Sequence, residues 1–133
     1  MSNQLIQGTW MKISGTWDEK GMAEIERVNS YLERCKNIDG LSIPLEDWGF
    51  NYELGLYRCQ KGFVYFYETD DEKGFAIKLG VFPTLDEVRR AWDEDIESIA
   101  NEIRDLAKNY SNEGVRMELM GLVNEIRGHK WFA

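Results

Sequence analysis

The sequence predicts an α+β fold in which a three- to four-stranded antiparallel β-meander packs, in two layers, against three α-helices. Two observations carry this prediction. Between residues 48 and 82, apolar side chains alternate with a period of two, which is typical of strands. From Leu85 onward, apolar side chains return every three or four residues, which is typical of an amphipathic helix. We expect the 133 residues to form a single domain, 1–133.

The N-terminal third of the chain predicts one helix. Residues 1–17 are interpreted as an N-terminal arm or an extra strand. A helix is expected from Asp18 to about Asn37, because apolar side chains recur there at helical spacing: Met22, Ile25, Val28, Leu32 and Cys35. We expect Asp39-Gly40 to end this helix, since Pro44 forbids its continuation.

Three strands are predicted in the middle of the chain. The first alternates from Trp48 to Tyr57 and is followed by a turn at Lys61-Gly62. The second, 63–68, is apolar on both faces, as expected of a central strand. A five-residue loop, 70–74, leads to the third strand, 75–81, and Gly74 is available there for a positive φ.

Two helices are predicted in the last third. Thr84 and Glu87 have the spacing of a capping box, which favours a helix start at this point. The long helix is expected to reach about Asn109. Its buried stripe comprises Leu85, Val88, Trp92, Ile96, Ile99, Ile103, Leu106 and Tyr110. A last helix is expected over 115–127, with Trp131 and Phe132 folding back onto the core.

Charge restricts the classes of partner. The net charge of −8 disfavours binding to a nucleic acid duplex, because such binding needs Lys and Arg against phosphates. A basic protein is the natural complement, since opposite potentials speed encounter. No stretch resembles a signal peptide or a membrane span, so we expect no membrane partner and a cytoplasmic location.

Residues that could act in catalysis or bind a metal are few and scattered along the sequence. Cys35 and Cys59 have no Cys-x-x-Cys spacing and no neighbouring His, so two reduced, buried thiols are expected rather than a bridge or a metal site. His129, near the chain end, is interpreted as a solvated bystander. The sequence therefore predicts a protein that is not an enzyme, with no catalytic residues, no metal and no cofactor.

Acidic clusters are the candidate partner-binding surface. One lies in the predicted loop after the second strand, and the other lies on the long helix. Tyrosines of the sheet join this surface if their row faces outward. The predicted contact residues are Asp70, Asp71, Glu72, Asp93, Glu94, Glu97, Tyr65 and Tyr67.

The layout resembles the immunity protein 63 family of bacterial polymorphic-toxin systems over residues 20–131. The corresponding residues are Trp48-Gly49, Tyr65 and Tyr67, Glu72-Lys73-Gly74, Thr84-Leu85-Asp86-Glu87-Val88, Trp92 and Trp131. The resemblance implies a cytoplasmic antitoxin of the contact-dependent growth inhibition type. Such a protein is not an enzyme and neutralises one toxin C-terminal domain, often a nuclease, in a 1:1 complex. A basic nuclease agrees with the charge argument.

Three alternatives remain open. An acidic phage-type protein could inhibit a host nuclease or restriction enzyme by DNA mimicry, although 16 basic residues are mixed with the acids. A small enzyme would need a convergent pocket with a perturbed titratable group. A small adaptor, or a weak homodimer built on an exposed apolar row, is the third.

Overall fold

The α+β fold is confirmed, with five strands rather than three or four. The computed structural model describes residues 10–132. The chain divides into two compact units, Met1–Val88 and Arg89–Ala133. No helix in the described part of the chain is long and apolar enough to cross a membrane.

The first unit contains the sheet and one helix. Its elements are β1 (Trp10–Thr16), α1 (Glu19–Glu33), β2 (Lys36–Leu45), a short 3₁₀ turn (Glu46–Trp48), β3 (Phe50–Cys59), β4 (Gly62–Asp71) and β5 (Gly74–Phe82). The strand order is β1-β5-β4-β3-β2, and every neighbouring pair is antiparallel. Strands β3, β4 and β5 form the predicted meander, while β1 and β2 add an edge strand on either side.

Helix α1 covers part of one face of this sheet, which we call the α1 face. Val28 and Leu32 of the helix pack into a cluster with buried residues of β4 and β5, namely Val64, Phe66, Phe75, Ile77, Leu79 and Val81. The helix begins after Asp18, whose carboxylate accepts the N–H of Gly21 at 2.8 Å. The predicted start is therefore confirmed. The predicted buried stripe is only partly right: Val28 and Leu32 are buried and Ile25 packs against the cluster, but Met22 is 48% exposed. Cys35 lies beyond the end of the helix.

The predicted end of this helix, near Asn37, is wrong. Helix α1 ends at Glu33, and Lys36–Leu45 forms strand β2. Pairing with β3 overrides the local helical pattern, since β2 runs along β3 from Lys36↔Arg58 to Leu45↔Phe50. Leu41, Ile43 and Leu45 alternate along β2, with the last two buried.

The expectation of two reduced cysteines is also wrong in this structure. Cys35 and Cys59 form a disulfide. The two residues flank the first cross-strand pair of β2 and β3, Lys36↔Arg58, so strand pairing brings them together. The bond joins two residues that are 24 positions apart in the sequence.

Two turns refine the predicted meander. The β3–β4 turn lies at Gln60-Lys61 and not at the predicted Lys61-Gly62, because Gly62 already pairs with Cys59 as the first residue of β4. Gly62 has a φ of 144°, which favours glycine. The loop before β5 is shorter than predicted, because β4 extends to Asp71 and β5 starts at Gly74. Gly74 has no positive φ; a Cβ there would lie 2.1 Å from the backbone oxygen of Gly15 in β1. Close strand approach, not turn conformation, is therefore why glycine occupies position 74. Trp48 lies in the 3₁₀ turn and not in the predicted strand.

Two helices account for most of the second unit. Helix α2 spans Leu85–Ala107 and helix α3 spans Glu113–Arg127. The capping box is confirmed, because the N–H of Glu87 donates to the Thr84 hydroxyl at 3.3 Å and the N–H of Thr84 donates to the Glu87 carboxylate at 3.2 Å. Buried α2 residues within this unit are Trp92, Ile96, Ile99, Ala100, Ile103 and Ala107.

Candidate protein-binding surface

The predicted α2 carboxylates are largely occupied within their own unit. Asp93 accepts the backbone N–H groups of Trp131 and Phe132 at 2.8 and 2.9 Å, which confirms that the C-terminal residues fold back. Glu97 lies 2.6 Å from Lys130 and 3.3 Å from Arg127. The hydrogen bond from Lys130 is the main reason that the pKa of Glu97 lies below its usual value. Of the three predicted residues, Glu94 is the exposed one.

The three residues of the predicted acidic loop, Asp70, Asp71 and Glu72, have different surroundings in the structure. The Asp71 carboxylate accepts the N–H groups of Lys73 and Gly74 at 2.8 and 3.0 Å, so it shapes the turn. Glu72 is exposed at the tip of this turn. Asp70 is half-buried on the α1 face and accepts the side-chain amide of Asn51 at 3.1 Å.

The two predicted tyrosines face away from α1, on the opposite face of the sheet. Tyr65 is 0% exposed and packs edge-on against Trp10, with ring centroids 6.0 Å apart. A partner cannot contact a fully buried ring, so the prediction that Tyr65 belongs to the contact surface is corrected: Tyr65 is part of the core. Tyr67 is half-buried, with Lys78 Nζ 5.1 Å from its ring centroid.

Strand register assembles a different group of carboxylates on the α1 face. Glu53 of β3 and Glu68 of β4 are directly opposite each other, and Asn51 is opposite Asp70 one step further along. Residues two apart on a strand point to the same side of the sheet. All four side chains therefore share one face, and we call this set (Asn51, Glu53, Glu68 and Asp70) the carboxylate face.

The carboxylate face holds like charges together. Burial, Glu53 and Asp70 together raise the pKa of Glu68 to about 7, with burial the largest cause. Burial also raises the pKa of Glu53, helped by Asp70. The charges that perturb Glu68 are both negative, so at neutral pH its ionised form is held at a free-energy cost to the fold.

Replacing Glu68 with glutamine is expected to stabilise the protein at alkaline pH. The folded-state pKa is raised, so the stability contributed by protonated Glu68 is present below pH 4.5 and lost as pH rises through about 7. At pH 8 we expect Glu68→Gln to raise the free energy of unfolding by ~1–2 kcal/mol, after allowing for solvent screening at a half-buried site. The difference should vanish near pH 4.5.

Urea denaturation at both pH values measures this difference. Glu72→Gln is the matched control, because Glu72 is exposed in a turn, and we expect it to change stability by less than ~0.5 kcal/mol. Equal effects of the two substitutions on stability at pH 8 would contradict the free-energy cost that is assigned to ionised Glu68.

The carboxylate face suits a cation presented by another molecule better than a metal ion. Among residues 10–132, no group of three or more His, Cys, Asp or Glu side chains is arranged to hold a metal. Beside the carboxylates, the Tyr57 ring folds back over Gly55, where a Cβ would lie 2.7 Å from Tyr57 Cε1. An aromatic ring beside carboxylates on an open sheet face is the composition of a surface that binds Lys or Arg side chains.

Sequence reasoning missed the carboxylate face because it lacked the strand register. The alternation from Trp48 to Tyr57 puts Asn51 and Glu53 on the side of the strand opposite to Tyr52 and Leu54. The signal that was available is the turn itself: a two-residue turn at Gln60-Lys61 places Cys59 opposite Gly62 and hence Glu53 opposite Glu68.

Comparison with known proteins identifies no relative. No protein-family model, curated protein or solved structure matches this chain.

Proposed function

We propose that this protein is an immunity protein that binds and neutralises a basic toxin domain, in a 1:1 complex, without catalysing a reaction. The observation that carries the proposal is the carboxylate face, where strand register holds Glu53 opposite Glu68 with Asp70 beside them, and where both neighbouring carboxylates raise the pKa of Glu68. A cationic partner would supply a positive charge to this face.

Energetics favours this use of the carboxylate face. A Lys or Arg side chain placed between Glu53 and Glu68 converts like-charge repulsion into two attractive, hydrogen-bonded pairs. In the unbound protein the carboxylates of Glu53 and Glu68 repel each other. The bound cation removes this repulsion, and the free energy gained adds to the affinity. The net charge of −8 steers a basic partner towards the protein from a distance.

No family model matches the chain, so the partner class is proposed from the resemblance of its sequence layout to the immunity protein 63 family. The partner would be a toxin C-terminal domain, and a nuclease is favoured because nucleases carry positive charge to meet phosphate. We propose the cytoplasm as the site of action, where such a toxin would attack.

Charge reversal at Glu53 is expected to weaken toxin binding at least ~10-fold without weakening the fold. Glu53 is exposed, and a lysine at this position faces Glu68 across the strands, so the substitution replaces a repulsive pair with an attractive one. Binding should fall because the partner's cation then meets a positive charge. The proposal places a toxin gene directly upstream of the gene for this protein. The C-terminal domain of that toxin is the binding partner for this test, and calorimetry measures its affinity.

Glu94→Lys is the matched control for this test. It reverses the same charge on the exposed side of α2, so it tests the surface that the sequence alone predicted. A loss of binding in Glu94→Lys, with normal binding in Glu53→Lys, would move the docking surface to α2. Normal binding in both variants would contradict a charge-based docking surface altogether.

The pH dependence of binding provides a second readout of the same site. A partner cation prefers the ionised form of Glu68, whose pKa in the free protein is about 7. Affinity should therefore increase about tenfold from pH 6 to pH 8, and Glu68→Gln should remove this dependence. Binding to several unrelated DNA-binding enzymes, rather than to one toxin, would favour DNA mimicry instead.

The raised pKa of Glu68 also favours a second candidate function, general acid–base catalysis on the open sheet face. A carboxyl group that titrates near pH 7 can donate and accept a proton at physiological pH. Substrate turnover by the purified protein that is lost in Glu68→Gln would favour this function over toxin binding.

A further inference from the structure

Among residues 10–132, no strand pairs with the outer edge of β1. In the described part of the chain, β1 pairs on one side with β5 and stands at the end of the sheet. Unpaired N–H and C=O groups along such an edge are a template for another strand. Strand β1 has seven residues, regular register with β5, and no proline.

The opposite edge of the sheet, strand β2, differs from β1 in two features that hinder pairing with another strand. Strand β2 contains Pro44, which cannot donate a backbone hydrogen bond, and a register shift between Asn37 and Asp39. Both features blunt an edge strand against pairing. Strand β1 has neither a proline nor a register shift, and the charged residue that it carries is Lys12.

Three of the six large apolar side chains that are exposed among residues 10–132 lie at or beside β1; of the others, Ile38 lies on β2, and Met117 and Met120 lie on α3. Trp10 at one end of the strand is 40% exposed, Trp17 just beyond the other end is 41% exposed, and Met22 in the first turns of α1 is 48% exposed. Ile13, at the centre of β1, lines three surface clefts with volumes of about 350, 300 and 720 Å³. Large exposed apolar residues beside an open edge are typical of a protein-binding site.

We propose that β1 pairs antiparallel with β1 of a second copy of this chain, joining two five-stranded sheets into one of ten strands. A two-fold axis at Ile13 pairs all seven residues: Trp10 with Thr16, Met11 with Gly15, Lys12 with Ser14, and Ile13 with itself. The strand is self-complementary in this register, because its single charged residue, Lys12, faces a serine. Each large side chain other than Ile13 faces a small one.

This homodimer is independent of the proposed toxin binding. Glu53 and Glu68 lie on β3 and β4, which are separated from β1 by β5, so the pairing leaves the carboxylate face open. Failure of toxin binding would therefore leave the dimer proposal unaffected, and failure of the dimer would not contradict toxin binding.

Opposite charge changes at Ser14 test both the surface and its register. Ser14 is exposed and faces Ala76 within the molecule, so either charge is tolerated by the monomer. In the dimer, Ser14→Glu faces Lys12 of the other copy twice and should lower the dimer dissociation constant about 2- to 30-fold. Ser14→Lys should raise it by a similar factor. Sedimentation velocity over a concentration series measures both constants.

Cross-linking provides a measurement that does not depend on charge. Directly opposite residues on antiparallel strands have Cα atoms about 4.5–5.5 Å apart, within the range for a disulfide. Ile13→Cys should therefore form a covalent dimer under oxidising conditions. Ser42→Cys, exposed on β2, is the matched control and should stay monomeric.

Three outcomes would overturn the proposal. The first is a wild-type protein that stays monomeric up to about 1 mM. The second is a shift in the same direction for both Ser14 variants. The third is cross-linking of Ser42→Cys as fast as that of Ile13→Cys. If β1 instead pairs with a strand of a different protein, the isolated wild-type protein stays monomeric, which is the first of these outcomes.

Discussion

Replacing both Cys35 and Cys59 with serine is expected to lower the free energy of unfolding by about 3 kcal/mol. The disulfide joins residues separated by 24 positions, and a cross-link of this span removes conformational entropy from the unfolded chain. It also ties the beginning of β2 to the end of β3, at the site where the chain leaves α1. Urea denaturation of both proteins under oxidising conditions measures the difference.

Reduction of the wild-type protein provides the internal control for this experiment. Excess reductant should destabilise the wild-type protein by a similar amount and should leave the double variant unchanged. Equal stability of the oxidised wild-type and variant proteins would show that the bridge does not constrain the unfolded chain. Thiol trapping in intact cells would then report whether the bridge is formed where the protein works.

Truncating Trp92 to alanine is expected to destabilise the protein by about 3–5 kcal/mol, the largest effect expected of a single substitution. Trp92 is 2% exposed, and its indole N–H donates to the backbone oxygen of His129 at 2.9 Å. Its ring also packs edge-on against Trp131, with centroids 6.1 Å apart. Alanine therefore leaves a large cavity and a buried carbonyl without its donor.

Trp17→Ala is the matched tryptophan control. Trp17 also donates an indole hydrogen bond, to the backbone oxygen of Asp71 at 2.8 Å, but its side chain is 41% exposed. Since water can replace both the bond and part of the packing, we expect a loss of about 1 kcal/mol or less. Thermal or urea unfolding compares the two variants, and similar losses would contradict the burial argument.

Local features of the fold could be predicted from the sequence. Thr84 and Glu87 lie three residues apart, so the capping box depends only on neighbouring atoms. The apolar stripe that includes Trp92 and Ile96 likewise reports a helix directly. The meander was predictable because its short turns keep strand partners close along the chain, and the α+β class follows from these elements.

Non-local features could not be predicted in the same way. The segment after Glu33 has a helical apolar spacing, yet it forms β2 because β3 offers a complete row of backbone partners. Most of the predicted contact residues are occupied for a similar reason. Asp93 binds the C-terminal backbone, 38 and 39 residues away, and Asp71 shapes its own turn. Which acids remain available depends on contacts that spacing does not reveal.

The sequence by itself determined the α+β class, the helix starts, the meander and an acidic net charge, because each depends on composition or on near neighbours. The tertiary structure alone decided that Cys35 meets Cys59, that Tyr65 is buried, and that Glu53 faces Glu68. Those outcomes depend on strand order and register, and a shift of one residue in register would turn each side chain to the other face of the sheet.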